Sequence, residues 1–145
     1  MKFKFVFLFV FLLLPLYILA QIDISVPKEV KGKIGKTIGI PISVSELKSQ
    51  EITAFEMALN YQDSLEIVDY KLTKITKILN TVDMNHLKNS KTIIAGYGAK
   101  ILAGKGKFVI IKIKLHKKGI CRLYINDFYL NSTQYLINPV RIIVK

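Results

Sequence analysis

The sequence predicts an all-β protein, an antiparallel β-sandwich of about nine strands, and two observations support this fold class. Short runs in which every second residue is apolar recur along the chain, which is typical of strands with one buried face. Turn residues separate these runs at regular intervals, and no strongly amphipathic helix interrupts them. Together these features favour two sheets packed face to face around one core.

The chain opens with the layout of a secretory signal peptide. Lys2 and Lys4 precede an unbroken apolar run, and Ala20 offers a small residue before Gln21. An uncleaved N-terminal anchor is the alternative, although the apolar run is short for a membrane span, which needs about 20 residues. We expect cleavage after Ala20, because the charged start and the small terminal residue both fit a signal peptide.

This division predicts a signal peptide over residues 1–20 and one domain over residues 21–145. The protein would then be secreted or held in the cell envelope, with no membrane span once the signal is removed. The remaining chain is long enough to bury a substantial core. Its single cysteine, Cys121, excludes an internal disulfide framework and lies in a strand-like run, so we expect a small buried residue.

The strands follow one another with short connections. The apolar alternation predicts strands over residues 21–27, 37–45, 52–61, 65–72, 91–98, 109–116, 121–131 and 139–145. Residues 73–90 fit either a short helix or two weak strands, and the glycine-rich stretch after residue 98 fits a hairpin loop. We expect the core to contain Phe55, Met57, Leu59, Ile111, Ile113, Leu123, Ile125 and Phe128.

The sequence offers no catalytic, cofactor-binding or metal site. His86 and His116 are the only histidines, and neither stands in a nucleophile or zinc motif. The densest acidic group, Asp63, Glu66 and Asp69, fits a turn and a solvated strand edge better than a calcium site. A nucleic-acid partner is also not expected, because the chain has an export signal and no stacking aromatic motif.

Charge is distributed unevenly along the chain. Residues 21–69 hold eight acidic side chains and five lysines, whereas residues 70–145 hold two acidic side chains and fifteen Lys and Arg. This asymmetry suggests an anionic partner or surface. Solubility and protection of strand edges are the alternatives, because lysines at alternate positions hinder edge-to-edge association.

The stretch ITAFEMALNYQDSLEIVDY (residues 52–70) shows the alternation most clearly. If Phe55, Met57 and Leu59 face the core, a second row faces outward. That outward row consists of Ala54, Glu56, Ala58 and Asn60.

The same stretch resembles the third and fourth strands of cohesin modules, and three further segments resemble that family in the same order. These are KIGKTIGIPISVS, GKFVIIKIK and LYINDFYLNS, and the match spans roughly residues 22–145. Gln62-Asp63 replaces the Asp-Pro that usually follows the strand-three tyrosine in the family. The resemblance implies a nine-stranded jelly-roll sandwich and a non-catalytic binding module rather than an enzyme.

The resemblance also implies a partner, since cohesins capture dockerins on one sheet face built from strands three, five, six and eight. Dockerins are small calcium-loaded helical modules rich in aspartate. The outward row of four residues falls on strand three, where Glu56 aligns with an acidic contact residue, while Ala54 and Ala99 replace polar contacts. We expect Lys112 and Lys114 to lie at the rim of this face and attract a dockerin-like or other acidic protein module.

Direct binding of polysaccharide is the alternative function. A cellulose-binding surface needs a flat row of exposed aromatic side chains, but residues 21–145 contain no tryptophan. The tyrosines are expected to lie largely in register with buried positions. Binding of an anionic polysaccharide through lysines remains open.

Export yields the first prediction. We expect the secreted protein to begin at or near Gln21, because the charged start, apolar run and small residue form a signal-peptidase substrate. Intact-mass measurement of the protein from culture medium and from washed cells checks this. A mass that retains Met1–Ala20 would contradict cleavage and favour the anchor.

Overall fold

The computed structural model describes residues 21–47 and 50–145; the expected signal peptide lies outside these ranges. The described residues form eleven strands and no α-helix, which confirms the all-β prediction. Nothing helical in these ranges has the length and apolarity that a membrane span requires. The strands are β1 Ile24–Ser25, β2 Glu29–Gly32, β3 Thr37–Val44, β4 Ala54–Tyr61, β5 Leu65–Leu72, β6 Thr81–Leu87, β7 Lys91–Tyr97, β8 Gly106–Leu115, β9 Gly119–Leu130, β10 Thr133–Tyr135 and β11 Val140–Val144.

The strands form two sheets that pack as a sandwich. The smaller sheet has the order β1-β3-β8-β5, and the larger has the order β2-β11-β9-β4-β7-β6 with β10 attached to β9. All neighbouring strands are antiparallel except β2 and β11, which pair in parallel. The predicted antiparallel sandwich is confirmed, and this one parallel pair lies at an edge of the larger sheet. The eleven strands exceed the predicted number of about nine by two, and two of the eleven, β1 and β10, are very short.

Aromatic side chains from both sheets meet at the centre of the core. The ring of Phe108 on β8 packs edge-on against Phe55 on β4, with ring centroids 5.1 Å apart. It also contacts Phe128 on β9 at 6.1 Å, and both geometries are favourable for aromatic pairs. All eight predicted core residues are buried, each at most 3% exposed, so this part of the prediction is confirmed.

Gly96 on β7 makes room for this aromatic packing. A Cβ atom there would lie 2.7 Å from Cε1 of Phe55 and 2.9 Å from Cγ2 of Val82, closer than real Cβ contacts. The absence of a side chain therefore lets Phe55 pack directly against the β7 backbone.

Two connections differ from the sequence-based expectation. Residues 98–105 do not close a hairpin, because β7 lies in the larger sheet and β8 in the smaller one. Residues 73–90 form neither a helix nor two strands: a turn is followed by the single strand β6. The Thr73 and Thr76 hydroxyls in this turn both donate to the Phe108 carbonyl, at 2.9 Å each.

A hydrogen bond joins the two sheets on the side where their edge strands β5 and β6 lie. The Tyr70 hydroxyl on β5 donates to the Val82 carbonyl on β6 at 2.8 Å. Burial raises the pKa of Tyr70, and the carboxylates of Asp83 and Asp69 raise it further. The phenol therefore stays protonated, and able to donate, above the usual tyrosine range.

The core yields the second prediction. Leu59→Ala should lower the free energy of unfolding by about 2–5 kcal/mol, because Leu59 is fully buried and the truncation leaves a cavity. Urea denaturation measures this change. Val68→Ala is the matched control, since Val68 is 36% exposed and should cost well under half as much. Similar losses for both variants would contradict the burial of β4.

Candidate functional site

The candidate face is the outer surface of four adjacent strands, β9, β4, β7 and β6, in the larger sheet. Strand β4 pairs with β9 on one side and β7 on the other, so it lies in the interior of the sheet. Among the described residues, no second layer covers this surface, and the opposite side of the same strands carries the core residues. The face is therefore available to a partner in the described structure.

The outward row predicted on β4 lies on this face. Glu56 is exposed, and Ala54 and Asn60 are half-buried. Ala58 is only 3% exposed, because its methyl group lies between Ile93 and Asn126 on the neighbouring strands. The row is therefore a shallow surface of short side chains, which we call the floor of the candidate face. Glu56 projects from it.

The neighbouring strands add tyrosines to the face, contrary to expectation. Tyr97 on β7 lies opposite Ala54 and is 62% exposed. On β9, Tyr129 lies opposite Glu56 and Tyr124 lies opposite Asn60. The expectation that most tyrosines occupy buried positions is wrong for these three, because each lies out of phase with the core residues of its own strand. The alternation within LYINDFYLN indicates this outward orientation for both β9 tyrosines.

The charge on the candidate face is modest and mixed. Glu56 and Asp83 lie on opposite sides of Ala95 across three adjacent strands. Both carboxylates are exposed, and neither forms an ion pair with a described residue. Lys91 lies towards the far end of the same face. The centre is therefore weakly acidic.

Ala99 lies just beyond the end of β7, beside the same face. The Gly98 amide donates to the Thr53 carbonyl at 3.0 Å, which extends the β4–β7 pairing by one bond. The Ala99 amide donates to the Asn80 side chain at 2.9 Å. Ala99 is exposed there and contributes only a methyl group to the rim.

Lys112 and Lys114 do not belong to this face, so their predicted place at its rim is wrong. Both lie on β8, in the smaller sheet, opposite Gly39 and Thr37 of β3. Because Ile111 and Ile113 point into the core, the lysines that alternate with them point to solvent on the outer surface of the smaller sheet. That surface is on the other side of the sandwich from the candidate face. The two sheets and their core separate these lysines from Glu56.

No other part of the described structure forms a more specific site. Within residues 21–47 and 50–145, no three His, Cys, Asp or Glu side chains are grouped to hold a metal ion. His116 contacts Glu66 at 2.6 Å on the surface, and Cys121 is buried. An open groove of about 670 Å³ lies near Gln21, Gln50 and Tyr135.

Comparison with known proteins identifies the family. The sequence model of the cohesin domain matches residues 22–123, which is more than half of the chain. This chain belongs to the cohesin domain family. Membership supports a non-catalytic protein-binding module and confirms the resemblance seen in the sequence.

Solved cohesin structures share the fold of this cohesin domain. The OlpA cohesin of Clostridium thermocellum, solved in a type I cohesin–dockerin complex, has a TM-score of 0.71 at 16% identity, covering 86% of this chain and 99% of that chain. A non-cellulosomal cohesin of the archaeon Archaeoglobus fulgidus has a TM-score of 0.69 at 15% identity, covering 87% and 92%. No curated protein sequence matches this cohesin domain. At these identities the structures establish the sandwich fold only.

Proposed function

We propose that this cohesin domain is an exported, non-catalytic docking module that captures a dockerin-type protein module on the candidate face. One observation carries the proposal: an uncovered four-stranded surface has alanines at its centre and exposed tyrosines around them. The predicted signal peptide would place the module outside the cell or in its envelope. There it would attach its partner non-covalently.

The shape of the face suits a helical partner. Ala54, Ala58 and Ala95 project little, so a helix could approach the sheet backbone closely over them. Tyr97 and Tyr124 stand above this floor and could pack against the sides of such a helix. Tyrosine is among the residues that most often supply binding energy at protein interfaces, because it combines a large apolar area with a hydroxyl group.

The family comparisons support a dockerin as the partner class. The OlpA cohesin of Clostridium thermocellum was solved in complex with a dockerin. A second cohesin of that organism, OlpC, was also solved with a dockerin, with a TM-score of 0.70 at 18% identity and coverage of 86% and 93%. This cohesin domain presents an uncovered sheet face of its own, which makes the same type of partner the leading candidate.

The charge of the face favours a basic contact on the partner. Glu56 and Asp83 are exposed on either side of Ala95, where one Lys or Arg side chain could approach both carboxylates. The expected attraction of an acidic module by rim lysines has less support, because Lys112 and Lys114 lie on the other sheet. Charge on this face would therefore determine how the partner is oriented. It would not select a partner by its overall net charge.

The third prediction concerns the centre of the face. Ala95→Arg should weaken binding of a calcium-loaded dockerin by about 30-fold or more, because the long side chain fills the space above the alanines and offsets part of the negative charge of Glu56 and Asp83. A panel of dockerin modules is screened by biolayer interferometry, and the tightest binder is used. Absence of any binder in the panel would contradict a dockerin partner, and binding to neutral glycans on an array would favour the polysaccharide alternative.

Thr37→Arg is the matched control for this variant. Thr37 is exposed on the outer surface of the smaller sheet, and the substitution adds the same side chain and the same charge. It should leave the affinity within about twofold of the wild type. Equal weakening by both substitutions would show that charge alone, and not the candidate face, decides binding.

The fourth prediction separates contact from long-range attraction. Glu56→Arg should raise the dissociation rate by about tenfold or more, because Glu56 projects from the centre of the proposed interface. Glu66→Arg makes the same change of charge on the opposite surface of the sandwich and should leave dissociation nearly unchanged. Surface plasmon resonance with the captured dockerin measures both rates. Unchanged dissociation of Glu56→Arg would remove Glu56 from the interface.

A further inference from the structure

Six lysines from three separate parts of the sequence meet at one end of the sandwich. We call this cluster the lysine pole: Lys33, Lys36, Lys114, Lys117, Lys118 and Lys145. Backbone hydrogen bonds hold its segments together. The Ile34 amide donates to the Lys145 carbonyl at 3.0 Å, the Gly35 amide to the Leu115 carbonyl at 2.7 Å, and the Leu115 amide to the Lys36 carbonyl at 3.0 Å.

Tight turns fix the spacing of the first two lysines. The Lys36 amide donates to the Lys33 carbonyl at 3.1 Å, which closes a β-turn over residues 33–36. Gly35 has a φ of 76°, as required at the third position of a type II turn. The turn therefore presents Lys33 and Lys36 at its two ends.

The charge of the lysine pole is not balanced locally. All six side chains are exposed, and none forms an ion pair with a described residue. Two nearby carboxylates offset only part of this charge: Glu66 lies opposite Lys114 and contacts His116, and Asp63 accepts a hydrogen bond from Ser90. The lysine pole therefore carries a net positive charge.

The chemistry of the lysine pole favours a polymeric anion over a small one. Lysine is a point charge on a flexible stem, and the pole contains no arginine whose planar fork would grip a single carboxylate or phosphate. Several such charges spread over turns and a strand end suit repeated anionic groups along an extended chain.

Other polyanionic partners fit the lysine pole less well. Its segments 33–36 and 114–118 contain no Phe, Tyr or Trp on which bases could stack. Its exposed apolar side chains are Ile34, at 45% exposure, and Ile120, at 60%, which follows Lys118-Gly119. Binding at a bilayer surface typically uses a larger apolar face as well as basic residues. A charged polysaccharide needs neither.

We infer that the lysine pole binds an anionic polysaccharide, through the ammonium groups of its six lysines and independently of the candidate face. The two surfaces lie on different parts of the sandwich, since the pole is built from the β2–β3 and β8–β9 turns and from Lys145, which follows β11. A polysaccharide at the pole would leave the outer surface of β9, β4, β7 and β6 free for a protein partner.

The fifth prediction tests this inference with dextran sulfate, using unsubstituted dextran as the neutral polymer of the same backbone. The wild type should bind only dextran sulfate, and this binding should fall steeply between about 50 and 500 mM NaCl as the charges are screened. The variant Lys33→Gln/Lys36→Gln/Lys117→Gln/Lys118→Gln should bind about tenfold or more weakly. Isothermal titration calorimetry measures both proteins, and thermal melting checks that the variant is folded.

The matched control removes four exposed lysines near the other end. Lys71→Gln/Lys74→Gln/Lys77→Gln/Lys100→Gln has the same net charge and should retain affinity within about twofold. Equal weakening of both variants, or no binding of the wild type to dextran sulfate, would overturn the inference. Tighter binding to phosphatidylglycerol vesicles than to dextran sulfate would also overturn it, in favour of a lipid surface. Ala95→Arg should bind dextran sulfate like the wild type, which separates this result from the docking proposal.

Discussion

The packing of Phe108 from the smaller sheet against Phe55 and Phe128 from the larger sheet is the contact on which the rest of the structure depends. It brings β8, β4 and β9 into one core and fixes which face of each strand points inward. Because side chains alternate along a strand, a slip of one residue would turn every core side chain to solvent. The register is therefore specified, and with it the composition of both outer surfaces.

The two outer surfaces consequently carry different chemistry. In the larger sheet, the residues that alternate with Phe55, Leu59 and Ile94 form a floor of small side chains flanked by tyrosines. In the smaller sheet, the residues that alternate with Ile111 and Ile113 are lysines. One chain thus separates a surface of small side chains and tyrosines from one on which Lys112 and Lys114 lie opposite Asp69 and Glu66.

Small residues on the candidate face are informative because large ones would usually be favoured in strands. Ala54, Ala58 and Ala95 gain little from cross-strand contacts, and alanine is depleted in strands. A surface built this way gives up some sheet stability and leaves room for another molecule. The tyrosines beside it stay largely exposed without a described partner that would cover them.

The sequence by itself determined the local features of this protein. Period-two alternation identified eight of the eleven strands and all eight core residues, because burial of one strand face requires that pattern. It also placed Ala54, Glu56, Ala58 and Asn60 on one outward row of β4. The order of four motifs indicated the cohesin family, and the family match confirms it.

Only the tertiary structure decided which strands lie side by side. Alternation shows whether a residue points in or out, but not which of two sheets its strand joins. For this reason the sequence alone predicts the wrong surface for Lys112, predicts a hairpin loop over residues 98–105, and does not reveal the neighbourhood of Tyr97. The lysine pole depends on contacts between residues about 80 or more positions apart, such as Gly35 with Leu115. Such pairings are set by how the two sheets share one core, which no local pattern encodes.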